Sequence, residues 1–433
     1  MRRALTLALA VSCAACALFL PTPDDATRLA EWQRKTVSLR GLDFSRPVAL
    51  HWTSRDEMPE VLRFEAADEL EPARVAEERD GYAALGALAP DVDLGKELLA
   101  LYASQAAGVY SPRRNTLFVA DDMSGALKSL LLEPIVVHEL THALQDQNFP
   151  QVLDFLLGLD REDDVARALS GTIEGDASVT MLGAFPGASR ENSVELAESL
   201  RSGLLAEVDK PDSEMGRAPR LLAVGLVFPY AYGTVVAARR YQAEGTAGLD
   251  AELADPPLAT LRILRPDTRA PVEFVRLGLG ALRAAPATAA CTVGEDNVAG
   301  AVTLRVLFEA TRKGGDLDTL LEGWRGDRYV KLSCGAKWEL VWLTRWSSRE
   351  SAQRFAAAYR ELAPAIAART PLSGTAEVVV RDATALVVTP GARPGADELL
   401  RASEIRSYLD FKAWVADGCF PETACPTHAS RMP

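Results

Sequence analysis

The chain has 433 residues, 48% of them hydrophobic, which allows two or three domains of ordinary size or one large catalytic unit with additions. No long low-complexity run argues for disorder. The formal net charge of −13 argues against nucleic acid as a partner, because a nucleic-acid binder needs a basic surface to displace counterions from phosphates.

The first twenty residues have the composition of an export signal. Two arginines near the N-terminus precede an apolar stretch over residues 4–20, and a proline follows it. Within the stretch, Leu-Ala-Val-Ser-Cys at 9–13 resembles the lipobox of bacterial lipoproteins. We therefore expect an exported protein that is periplasmic, attached to the cell envelope or secreted. A lipoprotein signal, with a membrane-attaching lipid on Cys13 or Cys16, and a plain secretory signal are both open.

The four cysteines beyond the signal are expected to form disulfides. An even number of cysteines in an exported protein favours disulfides over metal ligands, and four cysteines allow three pairings. A bond between the last two would close a short local loop. These cysteines are Cys291, Cys334, Cys419 and Cys425.

Hydrophobic spacing predicts the order of elements up to the central motif. We expect a strand within residues 37–53, mostly helix over 60–106, a β-hairpin over 108–119 and a helix over 127–147. Pro134 suits a first helical turn, so the motif-bearing part of that last helix is expected to begin there.

The remaining elements complete an α+β fold. Helices are expected over 163–182 and 221–242, mostly helix over 300–365 with a strand at 338–346 as the alternative, and a hairpin over 375–390. The expected organisation is a signal over residues 1–20, a mostly helical domain with a small antiparallel sheet over 21–280, and a disulfide-stapled α+β region over 290–433.

The sharpest chemical signal is His-Glu-Leu-Thr-His at residues 138–142. On a helix, His138 and His142 lie on one face, so both imidazoles can reach one metal ion at about 2.0–2.1 Å. Glu139 lies beside them, within reach of a water that the ion activates. The spacing predicts a zinc site with Glu139 as general base, and a pair of purely structural histidines is the alternative.

A hydrolytic zinc site usually has three protein ligands and one open position. The chain's other histidines, His51 and His428, are poorly placed, which leaves a carboxylate as the third ligand. Glu174 is favoured because it lies mid-helix among small residues that let the backbone approach closely. The acids at 162–164 fit the start of that helix, and Asp176 fits a place behind the ligands or in solvent.

A family resemblance covers most of the chain from about 37 to 360. Residues 138–147, followed by Glu-Gly-Asp-Ala at 174–177, resemble a little-characterised group of exported bacterial and archaeal proteins with this zinc motif. Two histidines with a downstream glutamate also resemble the gluzincins, the thermolysin-like zinc peptidases. The similarity is looser beyond 270. Other similar segments are residues 39–42, 108–112, 228–233, 256–260 and 323–329.

The motif and the resemblance together imply that residues 21–280 form a zincin-like catalytic domain. They also imply zinc-dependent hydrolysis of peptide bonds, with one Zn²⁺ held by His138, His142 and Glu174. Negative charge that develops on the carbonyl oxygen needs a hydrogen-bond donor. Tyr230, Tyr232 and Arg265 are the candidate donors, and simple packing of the two tyrosines is the alternative.

One position departs from the group. Where its members often have Ile-Leu-His-Pro, this chain has Ile-Leu-Arg-Pro at 263–266. If the histidine assists catalysis in relatives, either Arg265 replaces it or the role is absent here.

Two further expectations concern the surroundings of the motif. Asp146 shares a helix face with His142, so it is expected either to orient a ligand imidazole, to cap the helix or to pair with an arginine. The hairpin over 108–119 offers an edge strand along which a peptide substrate could add as a further strand.

Two other functions are open. Activated water also attacks other amides and esters, so the enzyme could be a zinc hydrolase of non-peptide substrates. A catalytically inactive zincin-fold lipoprotein that binds or scaffolds is the second alternative, although the base and every ligand that hydrolysis needs are intact.

Overall fold

The computed structural model describes residues 24–121, 125–268, 270–312 and 314–421, without the side chains of 125–129. The expected signal, Cys13, Cys16 and Cys425 lie outside these ranges. Helices dominate and are joined by three small sheets, so the α+β class expected from the sequence is confirmed.

The first part of the chain contains mostly helices. They are α1 (Asp25–Arg40), α2 (Met58–Glu65), α3 (Pro72–Leu85), α4 (Leu94–Gln105), α5 (Gly125–Asn148), α6 (Pro150–Gly158), α7 (Asp163–Gly183), α8 (Ser193–Val208), α9 (Glu214–Arg217), α10 (Arg220–Phe228), α11 (Thr234–Glu244), α12 (Thr246–Ala254) and α13 (Thr260–Leu264). The strands of this part are β1 (Ala49–Thr53), β2 (Gly108–Ser111) and β3 (Thr116–Ala120).

These three strands form a small sheet that lies against α5. The strand order is β1-β3-β2, so β2 is an edge strand. The expected hairpin is confirmed, since β2 pairs with β3 in antiparallel fashion, but β1 runs parallel to β3 and the sheet is mixed. The Tyr110 hydroxyl lies 2.9 Å from Asp146 Oδ2 on α5, which joins the edge strand to the motif helix.

Helix α5 begins earlier than we expected. It starts at Gly125, and Pro134 lies inside it rather than at its first turn. A proline inside a helix removes one backbone hydrogen bond, a cost that the packing of the following turns must offset. Val136, Val137 and Leu140 are fully buried in those turns.

Helices α10 and α11 form one continuous helix through a π-helical turn at Pro229–Gly233. Wide turns of this kind are rare and often occur at functional sites. The turn packs against α7 backbone to backbone, because a Cβ on Gly175 would lie 2.5 Å from the Gly233 carbonyl oxygen and one on Gly233 would overlap the Gly171 carbonyl. Because glycine has no side chain, Gly175 and Gly233 allow the π-helical turn and α7 to approach this closely.

The continuous helix Arg220–Glu244 is long and apolar enough to cross a membrane by length and composition alone. However, 72% of its apolar stretch is buried inside the protein, as in the core helix of a folded domain.

The second part of the chain is built around a β-sheet. Its strands are β4 (Val272–Arg276), β5 (Thr292–Asn297), β6 (Trp324–Cys334), β7 (Lys337–Trp346), β8 (Glu377–Arg381), β9 (Thr384–Val388) and β10 (Glu404–Tyr408). Its helices are α14 (Leu279–Ala284), α15 (Gly300–Phe308), α16 (Gly315–Glu322), α17 (Arg349–Arg369), α18 (Ala396–Ala402) and α19 (Phe411–Ala416).

An antiparallel sheet of order β5-β6-β7-β9-β8 corrects the expectation of mostly helix over 300–365. The alternative strand at 338–346 is confirmed, and its partner β6 was missed. Both strands are buried on both faces, so their apolar residues do not alternate as they do in a half-buried strand. The hairpin expected over 375–390 is confirmed as β8 and β9.

The cysteines agree with an oxidised protein. Cys291 and Cys334 form a disulfide with an S–S distance of 1.98 Å, which connects the start of β5 with the end of β6. Cys419 is also disulfide-bonded. The expected pairing of Cys419 with Cys425 involves a residue outside the described ranges.

Buried charges attach the start of α7 to the second part of the chain. Glu162 pairs with Arg328 of β6, and both side chains are almost completely buried. Asp164 accepts hydrogen bonds from the Thr260 hydroxyl and from the Ala301 N–H at the start of α15. These acids do lie at the start of α7, as expected, but they bind buried partners rather than solvent.

We expect Gly233→Ala to lower the free energy of unfolding by about 3 kcal/mol, because the new methyl group would overlap the Gly171 carbonyl. Gly203→Ala is the matched control. Nothing lies within 4 Å of a Cβ at this position of α8, and helix propensity predicts a gain of about 0.5–1 kcal/mol. Chemical denaturation measures both variants, and equal effects would contradict the close approach of the helices.

Candidate metal centre

Two imidazoles from α5 face each other across one helical turn. His138 Nε2 and His142 Nε2 lie 3.1 Å apart, and the rings meet edge to face at 87°. Both side chains are largely buried, with exposed fractions of 9% and 15%. The expected four-residue spacing on one helix face is therefore present.

Helix α7 brings Glu174 to the same point. Its Oε2 lies 3.1 Å from His138 Nε2 and 3.3 Å from His142 Nε2. Ligand atoms at about 2.0–2.1 Å from a tetrahedral zinc ion are about 3.3 Å from one another. The mutual distances of the three atoms therefore match those that one zinc ion would require, and all three residues line the cavity described below.

The electrostatics of the three groups are coupled. Burial disfavours the charged form of His142, but the Glu174 carboxylate outweighs this and raises the pKa of His142 to about 9. Burial likewise opposes ionisation of Glu174, yet the two imidazoles hold the pKa of this carboxyl well below its ordinary range. Glu174 is therefore an anion, which is the form that binds a metal.

Gln145 fixes the tautomer of His142. Its Nε2 donates to the Ile173 carbonyl at 2.9 Å and to Asp176 Oδ2 at 2.8 Å, so its Oε1 is the atom that faces His142 Nδ1, at 2.8 Å. Nδ1 must then donate, so Nε2 is the ring nitrogen at which a metal ion would replace the proton of His142. The other carboxylate oxygen of Asp176, Oδ1, pairs with Nε of the buried Arg40 guanidinium at 2.6 Å.

The edge strand lies directly beside the predicted base. The Tyr110 N–H donates to Glu139 Oε2 at 2.8 Å. A Cβ on Gly108 would lie 3.0 Å from Glu139 Cγ, so the absence of a side chain allows this approach. The edge of β2 that does not pair with β3 therefore faces the metal centre.

Tyr230 is the candidate donor that the fold brings to the site. Its ring stacks on His138 at 6.1 Å between centroids, and the side chain lines the same cavity as the three ligands. Burial, together with the carboxylates of Glu174 and Glu139, raises the pKa of Tyr230 well above its ordinary value. The phenol consequently stays protonated and able to donate.

The other two candidate donors are not brought there. Tyr232 follows Tyr230 by two positions and points away from it, with its ring 5.6 Å from Phe228 and 5.8 Å from the Arg201 guanidinium. Arg265 ends α13 and pairs with Asp318 and Glu322 at 3.1 and 3.3 Å. Neither lines the cavity at the candidate metal centre, so the structure does not bring these two predicted donors to it.

Asp146 takes the arginine-pairing alternative. It binds the Arg46 guanidinium and the Tyr110 hydroxyl, while Gln145 occupies the place beside the ligand imidazole. The sequence signal for Gln145 is its position three residues after His142, where helical side chains meet.

A cavity of about 480 Å³ opens at the three ligands and Glu139. Its polar end holds the metal centre and Tyr230. Its other walls are mainly apolar and come from the helices α2, α4, α5, α7, α8, α9 and α10 and from the turn before β2. The residues of these apolar walls include Ile135, Met181, Leu200, Leu204, Met215, Leu226 and Val227.

A second cavity of about 390 Å³ shares Glu174 and Tyr230 with the first. Charged side chains of α3 and α7 line it. Burial and the nearby Asp163 raise the pKa of Glu78 in this cavity to about 8, while Arg167 and Arg74 oppose the shift. Glu174 therefore borders two cavities, one with mainly apolar walls and one lined by several charged side chains.

Comparison with known proteins reaches only the second part of the chain. A family model described as a domain of unknown function (DUF8575) matches residues 290–399, which include β6, β7 and α17 but none of the metal-centre residues. No curated protein and no solved structure matches the chain.

We expect Gln145→Leu to weaken zinc binding by about 10- to 100-fold, since partners that orient a ligand imidazole typically contribute that much. Gln147→Leu is the control on the same helix, because Gln147 binds the Ser45 and Arg46 backbone instead. Competition with a fluorescent chelator measures both affinities. Equal affinities for the two variants would contradict the orienting role of Gln145.

Proposed function

We propose that this protein is a zinc-dependent metallopeptidase that acts outside the cytoplasm. The observation that carries the proposal is the spacing of 3.1–3.3 Å among the nitrogen and oxygen ligand atoms of His138, His142 and Glu174. Within the described ranges, these three residues form the group of His, Cys, Asp or Glu side chains whose ligand atoms lie close enough to one another to hold one metal ion.

The donor set fits zinc. Two imidazole nitrogens and one carboxylate oxygen with an open position are typical of hydrolytic zinc sites, whereas calcium and magnesium prefer oxygen ligands. Bound there, zinc would supply a Lewis acid that polarises the attacking water and the scissile carbonyl.

Glu139 acts as the general base. Oε2 is held by the Tyr110 N–H, which orients the carboxylate and leaves Oε1 to receive the proton of the attacking water. The same carboxyl then carries the proton to the leaving amine. Because α5 also carries both histidines, the same helix fixes the base relative to the two imidazoles that would hold the ion.

Tyr230 stabilises the developing charge. Its phenol is neutral and lies beside Glu174 and His138, so it can donate to the carbonyl oxygen as negative charge grows there. A neutral donor in a buried site does this without having to lose a solvent shell during the reaction.

The edge strand supports a peptide as the substrate. An extended peptide can pair with the main-chain groups of β2 that neither β3 nor Glu139 binds, which would place its carbonyl groups along the cavity. The Cys291–Cys334 disulfide supports an oxidising compartment, in agreement with the expected export signal. Attachment through a lipid on Cys13 or Cys16 is part of the proposal as an alternative to free secretion.

We expect protein comprising residues 24–433 to bind about one zinc ion per chain, as determined by elemental analysis, and Glu174→Ala to lose most of it. Glu139→Gln should keep the zinc and lose peptide cleavage by a factor of about 10²–10⁴. A folded wild-type protein that takes up no zinc would rule out this function. Zinc uptake without cleavage of any peptide would favour another hydrolase or a binding protein.

We expect Tyr230→Phe to lower kcat by about 10²–10³, because one donor to a developing oxyanion contributes roughly that factor. Zinc content and KM should change little, since the phenol is neither a ligand nor part of the main-chain pairing. Tyr232→Phe is the control from the same π-helical turn and should retain activity. Steady-state kinetics measure kcat and KM for both variants. A similar loss of kcat in both would contradict the role of Tyr230 as the oxyanion donor.

A further inference from the structure

Ser178 is a buried hydroxyl without a partner. Its side chain is fully buried, and Oγ makes no hydrogen bond with any described residue. Hydroxyls in mid-helix ordinarily donate to the carbonyl four residues earlier, as Thr180 does to the Asp176 carbonyl at 3.0 Å. Buried polar groups are nearly always satisfied, so this exception requires an explanation.

Ser178 is one of the residues in the mainly apolar part of the cavity wall, which is called the apolar arm below. Ser178 lines the cavity together with Met181, Leu200, Leu204 and Leu226. Alanine would suit these apolar neighbours and the helix better, because it has higher helix propensity and no unpaired polar atom. The packing of α7 therefore does not explain a serine at this position, whereas a hydrogen bond to a ligand in the cavity would.

The distance between Glu174 and Ser178 along α7 determines how long a ligand group must be to reach the Ser178 hydroxyl. Ser178 follows Glu174 by four residues, so it lies on the same face of α7 about 6 Å further along the helix. That distance matches the reach of one long side chain from the scissile bond. An aromatic ring fits the apolar walls, and a polar group at its tip would meet Oγ.

We propose that this arm binds a tyrosine side chain of the substrate, adjacent to the cleaved bond, and that Ser178 Oγ hydrogen-bonds the phenol. The proposal rests on the peptidase function proposed above. A site that hydrogen-bonds a hydroxyl discriminates against the analogue that lacks it, because the protein's polar group is then left unpaired. The arm therefore prefers tyrosine to phenylalanine.

Binding tests the inference independently of turnover. Ligand-observed NMR on zinc-loaded Glu139→Gln protein would compare N-acetyl-tyrosinamide with N-acetyl-phenylalaninamide. We expect about tenfold tighter binding of the tyrosine amide. Adding Ser178→Ala should remove this preference without lowering the melting temperature, whereas Ser170→Ala, two turns earlier on α7, should preserve it.

A second variant tests the location of the site. Leu204→Trp keeps Ser178 but fills the arm, so both amides should lose binding. Equal affinities for the two amides, a preference that survives Ser178→Ala, or unchanged binding to Leu204→Trp would each overturn the inference.

A library of peptides separates this inference from the peptidase function. Cleavage by the wild-type enzyme should concentrate at bonds next to tyrosine and shift towards phenylalanine in Ser178→Ala. Cleavage without a tyrosine preference would overturn the inference and leave the peptidase function standing. Selective binding of the tyrosine amide with no cleavage of any peptide would instead support the binding arm and contradict the peptidase function.

Discussion

A single buried carboxylate, Asp176, connects three helices behind the metal centre. It lies on α7, receives the Arg40 guanidinium at the end of α1, and accepts a hydrogen bond from Gln145 of α5, which in turn holds His142. Removing one member of a buried pair leaves an uncompensated charge, which typically costs about 3–5 kcal/mol. The mutual positions of the His138, His142 and Glu174 side chains depend on this network, since it fixes α5 and α7 relative to each other beside them.

The other end of α7 is held by the second part of the chain. Glu162 binds Arg328 of β6, Asp164 binds Thr260 and the start of α15, and Asp327 accepts the N–H groups of Ala299 and Gly300. Most of these partners lie within residues 290–399, the segment that matches the domain of unknown function. That segment therefore supports the helix that carries Glu174, although it contributes none of the three ligands.

The sequence was informative about the candidate site where it depends on spacing along one helix. Spacing predicted that His138 and His142 share a helix face, and small neighbours in the next helix favoured Glu174 as the side chain that joins them; the structure brings these three side chains together. The sequence was less informative where function depends on packing between elements. The π-helical turn decides that Tyr230 faces the site and Tyr232 does not, and no periodicity signals that turn.

Gln145 and Asp146 are adjacent, and only the positions of Asp176 and Arg46 decide which one reaches an imidazole. Strand β6 was missed because burial on both faces hides its alternation.

Helix α7 combines several tasks because its faces carry different residue types. Glu174 and Ser178, four residues apart, face the cavity, while Gly171 and Gly175 form a second stripe that admits the π-helical turn. Asp176 lies between these stripes and the buried arginine of α1. A small shift of α7 would change the ligand distances, the placement of Tyr230 and the depth of the apolar arm together. This shared dependence explains why buried charge holds the helix both at its first turn and beside the candidate metal centre, since flexibility at either place would separate groups that lie within hydrogen-bond distance of one another.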